Sequence, residues 1–474
     1  MKMLLNGEWV DRDERIDVID PFDNSVIDTV PSASAEDVEL AYSAAKRGFE
    51  IAKKMTVYER AQVLFKTADL ISGRLDEFAT VIAREGSKTI REARKEASRC
   101  VNTLTVSAEE SKRILGETIP FDSFPGGEKR KGYYYRFPIG IVLAITPFND
   151  PLNLVAHKLG PAIAAGNAVV LKPATVTPLS AIKLAEALLE AGLPPLLLQV
   201  VTGHGGKIGD LLVKDDRARM ISFTGGVEAG KRIAHLAGIK KIGMELGSNS
   251  PVIVWKDADL DWAVESCVSG AFWAAGQNCI GVQRIYIHRE VYAAFRDAFV
   301  RRTAAYKIGD KLREDTDMGP MITEGEAKRV VRWIEEAVEK GAAVLTGGKR
   351  KGALLEPTVL ENVPEKATIH YDEVFGPTVN LYPVDDLDEA IAKANSVDFG
   401  LLTAVFTRDI NVAFKASYGL DCGGVIINDS TDYRLDSMPF GGIKNSGLGR
   451  EGIKFALQEM TEPKVISFYL PDMD

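Results

Sequence analysis

The sequence predicts an α/β protein built on two parallel sheets, and three observations carry the prediction. From Ile139 onward the apolar runs IGIVLAIT, NAVVLKP, LLQVVTG and RMISFTG are each followed by a Pro/Gly-bearing turn and then a helical stretch. The alternation resumes at Pro251 through SPVIVW, QRIYIHR, AAVLTGG, ATIHYDEVFGP, VNLYPV, TAVFT and GGVIIND. Strands buried on both faces and alternating with helices specify parallel sheets with right-handed crossovers. At 474 residues the chain is also too long for one ordinary core.

Taken in order, MLLNGEWV sets two short apolar runs around Asn6-Gly7, a hairpin signal. DVIDPFDNSVIDTVP repeats the idea around Asp20-Pro21 and Asp23-Asn24. From Ser34 the period becomes helical. Thr56 with Glu59 forms a capping box, Leu64, Ala68 and Ile71 share one face, and Gly73 stops that helix. Helical character continues from about 75 to 115. The stretch 119–137, with its Pro, Gly, the charged tip Lys129-Arg130-Lys131 and the run Tyr133-Tyr134-Tyr135, predicts a long β-hairpin interrupting the first domain. The second alternation holds a helix from about Leu260 and another over 291–305, the join between domains falls near 247–251, and KVISFYL predicts a last strand.

Composition excludes several classes. A hydrophobic share of 46% with 26% charged residues fits a globular chain, and a net charge of −9 argues against nucleic acid as the main partner. Cys100, Cys267, Cys279 and Cys422 show no CxxC pair or metal-ligand spacing, so neither a disulfide framework nor a metal site is expected and a reducing cytoplasm fits. The opening MKMLLNGEWVDRDER turns polar after five residues, unlike a secretory signal, and no run of about 18 uncharged apolar residues predicts a membrane span.

Chemistry centres on AFWAAGQNCIGVQRIYI, where Cys279 follows a small-residue bend, Ala274-Ala275-Gly276, and an amide pair, Gln277-Asn278. A thiol attacks as its thiolate, and nearby N–H groups can hold a developing oxyanion. Ligands gather at the carboxyl ends of parallel strands. There lie Pro147-Phe148-Asn149, Lys172-Pro173, and Thr224-Gly225-Gly226 ahead of a helix over 227–236. Gly225 and Gly230 bracket that helix start, whose free N–H groups suit a pyrophosphate, although GxGxxG is missing. Lys172 suits ribose hydroxyls or a 2′-phosphate, and the absence of an acid at Thr175 makes NADP acceptable. Glu245, in KKIGMELGSNSP, is a candidate general base.

With these residues in view, the chain resembles the aldehyde dehydrogenase superfamily over essentially its full length. FWAAGQNC matches the family's cysteine motif, MELGSNSP its glutamate motif with Ser248 in place of the second glycine, and PFN, KPA, FTGG, EVFGP and PFGGIKNSGLGREG follow in family order. The resemblance implies attack by Cys279 on an aldehyde, an oxyanion held by Asn149 and the Cys279 N–H, hydride transfer to NAD or NADP, and hydrolysis of the thioester with Glu245 as base. It places the cofactor along Thr146, Pro147 and Phe148; along Lys172, Pro173, Ala174 and Thr175; and along Phe223, Thr224, Gly225 and Gly226 with Gly230. Leu246 and Gly247 complete that side, while Glu373 contacts a ribose and Phe375 packs by the nicotinamide. Gly226 stands where relatives carry serine, removing one phosphate hydrogen bond.

The implied fold is a Rossmann-type cofactor domain (1–115 with 137–246), an α/β catalytic domain (247–445), and a β-flap with tail (116–136 and 446–474) used for a homodimer or homotetramer. His157, Arg284 and Arg434 are substrate candidates, because branches with such residues oxidise lactaldehyde, glyceraldehyde and its phosphate, succinate semialdehyde or phosphonoacetaldehyde, and an arginine fork grips carboxylate or phosphate. Two alternatives stand beside this reading. A CoA-acylating relative would typically lack Glu245, and a non-catalytic member would not be expected to keep Cys279, Glu245 and Asn149 together.

Overall fold

Asn6 and Gly7 both take positive φ, 56° and 84°, and the turn they make pairs Met3–Leu5 with Glu8–Val10. A second hairpin joins Arg15–Ile19 to Val26–Pro31. The helices Ala35–Ala52, Val57–Gly73 and Ile90–Ser111 each begin in a complete capping box, Ser34 with Asp37, Thr56 with Glu59 and Thr89 with Glu92. The computed structural model describes residues 1–472.

Five parallel strands form the centre of the first sheet, in spatial order Leu198–Val200, Ala168–Lys172, Ile141–Ile145, Ala218–Thr224, Lys241–Glu245. The chain moves outward from Ile141–Ile145 in one direction and then returns to build on its other side. That reversal opens a crevice at the carboxyl ends beside Ile145, the place where such sheets bind ligands. The N-terminal hairpin closes one edge, and Gly447–Leu448 pairs antiparallel with Met244 and Glu245 at the other.

The second sheet runs Ala343–Thr346, Thr358–Glu361, Thr378–Val384, Val282–His288, Ser250–Val254, Leu402–Phe406, Gly424–Ile427, parallel except for its first member. Each sheet has its own apolar core; Val252, Ile253, Val254 and Ile285 to Ile287 are wholly buried in the second. The run read as a strand in ATIHYDEVFGP folds instead as the short helix Thr368–Tyr371, because the segment must turn before Glu373 rather than extend.

The predicted hairpin over 119–137 takes another form. Arg130–Pro138 pairs with Glu117–Thr118 over only two residues, while its full-length partner is Thr461–Tyr469, in antiparallel register from Thr461↔Pro138 to Tyr469↔Arg130. Residues 446–460 do not extend this flap: Gly447–Leu448 edges the first sheet and the helix Ile453–Glu459 packs on Ile90–Ser111 and Asn153–Ala165. Among the described residues, no helix is long and apolar enough to cross a membrane.

Candidate active site

Register alone gathers the strand-end residues. Ile145 lies beside Lys172 and Phe223, and Thr224 lies beside Glu245, so the segments after them share one rim. The Lys172 ammonium is buried, and its one hydrogen bond goes to the carbonyl of neighbouring Pro173 at 3.1 Å. Burial without a carboxylate pulls its pKa down to about 8. Thr175, three residues on, donates to Gly203 O at 3.0 Å.

The helix Val227–Leu236 starts at Gly226 with no side-chain cap, and open space lies where a Cβ on Gly226 would stand. A Cβ on Gly230 would meet Leu246 at 2.6 Å, so glycine lets this helix lie against the residue that follows Glu245. Glu373, half-buried, accepts from Ser248 N at 2.8 Å, and desolvation raises its carboxyl to about 7. Phe375, at φ 45°, sets its ring edge-on to Phe148 with centroids 5.7 Å apart. A buried cation without an acid, an uncapped helix start and the orphaned hydroxyl of Thr224 fit a dinucleotide: Lys172 and Glu373 for ribose hydroxyls, the Gly226 terminus for phosphate.

Cys279 emerges from a strained bend. Ala274, Ala275 and Gly276 take φ of 50°, 56° and 70°, a left-handed run that alanine adopts only under constraint. Gln277 pins it at both ends, donating to Ala274 O at 2.9 Å and accepting from Ile322 N at 2.9 Å. The thiol is half-buried beside Met438 and Ile280. Burial pushes it up to about 12, Arg434 pulls it down, and Glu373 and Glu245 add to the rise. Cys279 and Asn149 line one cavity of about 480 Å³ together with Asn278, Trp273, Arg434 and Phe440.

Glu245 does not line that cavity. Its carboxylate shares a void of about 20 Å³ with His157, Ser222 and Glu451, and Oε2 has no hydrogen-bond partner. Burial, with Glu451 next, raises its pKa well above the usual carboxylate range. Burial also opposes ionisation of Glu451, yet Lys158 at 2.9 Å and Arg434 at 3.0 Å hold that carboxyl well below its ordinary value.

The three substrate candidates separate. Arg434 borders the cavity, with its guanidinium 3.8 Å over the Phe440 ring. His157 does not: it is buried in Asn153–Ala165, Nε2 3.1 Å from Asp436 Oδ1, and burial lowers its pKa. Arg284 points into the second sheet, where Asn249, Tyr286 and the carbonyls of Lys393 and Ala394 take its donors. Facing inward from a central strand, it cannot grip a substrate. Sequence reasoning missed Lys88, Lys95 and Arg99, which also line the cavity; the signal was charges at helical spacing on a segment whose neighbours are apolar.

A rim that fits a dinucleotide beside a cavity lined by a cysteine is the arrangement of a cofactor-dependent oxidoreductase. The aldehyde dehydrogenase family model matches residues 9–466. The chain is 47% identical to 3-sulfolactaldehyde dehydrogenase of Priestia aryabhattai, covering 98% of this chain and 97% of the relative. It superposes with TM-score 0.97 and 41% identity on the crystal structure of aldehyde dehydrogenase 21 from Physcomitrella patens in complex with the reaction product succinate, covering 99% and 98% of the two chains. Glyceraldehyde-3-phosphate dehydrogenase GapN from Methanocaldococcus jannaschii, complexed with NADP, superposes with TM-score 0.93 at 39% identity over 97% of this chain and 100% of that one. The chain belongs to the aldehyde dehydrogenase family. It is an oxidoreductase of the aldehyde group that takes NAD or NADP as acceptor.

Proposed function

We propose that the chain oxidises a small polar or anionic aldehyde to its carboxylic acid through a covalent adduct on Cys279. The observation that carries this reading is the single cavity shared by Cys279, Asn149 and Arg434. Cys279 gives up its thiol proton to solvent and its Sγ adds to the carbonyl carbon, and the Asn149 amide with the Cys279 N–H donates to the oxyanion. A nicotinamide dinucleotide, its riboses held by Lys172 and Glu373, its phosphates at the helix start after Gly226 and its ring beside Phe375, would supply the hydride acceptor; once hydride is lost from the adduct carbon, Cys279 carries a thioester. Glu245 then swings from its void toward the cavity and takes a proton from water, whose oxygen attacks the thioester; the carboxylate departs and the thiol is restored. Burial and the neighbouring Glu451 raise the pKa of Glu245, which makes its ionised carboxylate a stronger proton acceptor than an ordinary one.

Cations at the cavity support an anionic substrate tail. Arg434 and Arg99 border it, and the exposed Lys95 stands 5.2 Å over the Trp273 ring. The relatives point the same way: their names give a sulfonated aldehyde, a phosphorylated one, and succinate as product. Retention of Glu245 favours release of free acid over transfer to coenzyme A. A homo-oligomer built through the flap belongs to the same reading, because Arg130–Pro138 and Thr461–Tyr469 leave Tyr135, Val465 and Tyr469 exposed.

Lactaldehyde, glyceraldehyde, glyceraldehyde 3-phosphate, succinate semialdehyde and propanal, each with NAD and with NADP and without CoA, test the proposal. Acid production from a polar or anionic member in preference to propanal is expected; turnover only when CoA is added defeats it. In Arg434→Leu the preference for succinate semialdehyde over propanal falls by about tenfold or more, the worth of one charge-assisted hydrogen bond. An unchanged preference removes Arg434 from substrate recognition.

A further inference from the structure

The helix Ile90–Ser111 carries Glu92, Glu96, Arg99 and Thr103, spaced four, three and four residues apart and therefore on one face. Together they reach three parts of the site. The Glu92 carboxylate accepts from Ala274 N at 3.0 Å, inside the left-handed bend that leads to Cys279. Glu96 Oε1 accepts from Leu152 N at 2.8 Å and Asn153 N at 3.0 Å, the turn directly after Asn149. Lys88 ties Glu96 Oε2, at 2.7 Å, to Asp150, the neighbour of Asn149. Arg99 donates to Asp436 at 2.9 Å in the Arg434 loop, and Thr103 donates to Asn153 at 2.8 Å.

We propose that Glu92 and Glu96 are positioning residues that set the separation between the nucleophile and its oxyanion amide, Glu92 by holding the Cys279 bend and Glu96 by holding the Asn149 turn. The inference rests on the roles proposed for Cys279 and Asn149. Both carboxylates are buried, so ordinary fluctuation of surface side chains does not loosen them. The bend needs such a hold. Ala274 and Ala275 have no intrinsic preference for positive φ, and on its other side Gly276 abuts Gly376 so closely that a Cβ would stand 2.2 Å from Gly376 O. A peptide pressed from one side and hydrogen-bonded from the other has one arrangement. Because Glu92 and Glu96 are one helical turn apart on a continuous helix, the two segments they grip share a common ruler.

A substitution separates this role from helix capping. Glu92 also closes the capping box by accepting from Thr89 N at 2.8 Å. An aspartate performs that task in the first helix, where Asp37 accepts from Ser34 N at 3.0 Å. Glu92→Asp therefore keeps the cap and withdraws the carboxylate from Ala274 N. Two probes need neither aldehyde nor cofactor: alkylation by iodoacetamide reports the thiol, and p-nitrophenyl acetate reports acyl transfer, which needs thiol and oxyanion donors together.

In the full-length protein, Glu92→Asp is expected to keep the parent melting temperature within about two degrees while alkylation and the p-nitrophenolate burst both slow at least tenfold. Ala274→Gly, which removes the left-handed strain, is expected to return part of both rates in the Glu92→Asp background. Glu96→Asp, which withdraws the carboxylate from Leu152 N and Asn153 N, is expected to leave alkylation within twofold and to slow the burst at least tenfold. Rates within twofold of the parent in both folded variants overturn the proposal, as does a rate loss that only tracks lost melting temperature. Cys279→Ser keeps the two failures apart: a burst that survives it refutes the assignment of the nucleophile, not the bracing by Glu92 and Glu96.

Discussion

At Cys279, burial and the carboxylates of Glu373 and Glu245 favour the thiol, while Arg434 favours the thiolate. With the pKa pushed up to about 12, the thiolate fraction is small at neutrality and grows about tenfold per pH unit. Iodoacetamide alkylation of the protein without cofactor is therefore expected to rise with a log-rate slope of about one between pH 7 and 10. A plateau below pH 8 would place the ionisation far lower. Arg434→Leu removes the opposing charge and shifts the curve to still higher pH. Arginines also show how far a single residue is legible. Arg284 and Arg434 both stand near recognisable motifs, yet motif distance does not say which way a side chain faces. Arg284 sits on a central strand of a sheet buried on both sides and spends its donors on carbonyls; Arg434 lies in a loop that borders the cavity. Asn149 and Lys172 stood out because their motifs follow strands of one parallel sheet at its carboxyl ends, whereas Cys279 stood out by the small-residue bend and amide pair ahead of Val282–His288 in the second sheet. The void that sets Glu245 against Glu451 depends on packing between segments more than 200 residues apart, which no local pattern encodes.

Elements with strong local chemistry matched their sequence signals closely: the Asn6-Gly7 hairpin, the Thr56–Glu59 capping box and the helix Val227–Leu236. The inward polar face of Ile90–Ser111 was hidden because buried and solvated charges look alike in sequence. The bend before Cys279 is the most demanding local structure, since three consecutive residues are left-handed and the third has no room for a side chain. Gly276→Ala places a methyl 2.2 Å from Gly376 O, so either the bend or the segment carrying Glu373 and Phe375 must move. Displacement of about an ångström at a nucleophile lowers kcat by about 10²-fold, and the Gly276→Ala protein is expected to show that loss in steady-state turnover with its far-UV circular dichroism retained. Near-parental turnover would mean that the bend yields without consequence, which would also weaken the case for Glu92.

At the scale of the whole molecule, the alternation of strands and helices showed two parallel sheets, but not what joins them. The pairing of Arg130–Pro138 with Thr461–Tyr469 links residues more than 300 positions apart, and hydrophobic pattern is silent on partners at that distance. A second long-range link is polar. Lys311 belongs to a segment that packs on the second core through Ile308 and Met318. Its buried ammonium lies 2.8 Å from Asp20 Oδ1, 2.8 Å from Arg84 O and 2.7 Å from Gly86 O, all in the N-terminal part of the chain. Burial pulls its pKa down to about 8 and Asp20 opposes that shift, so the pair has traded hydration for mutual contact. Lys311→Met leaves a buried carboxylate and two carbonyls without their donor, a loss of about 3–5 kcal/mol for breaking one side of a buried pair. The urea midpoint is expected to fall accordingly. In Lys311→Met with Asp20→Leu the unpaired charge is gone, and much of the stability is expected to return because an apolar contact replaces an ionic one at little net cost. A double variant no more stable than the single one would show that the carbonyls of Arg84 and Gly86, rather than Asp20, are what Lys311 holds in place.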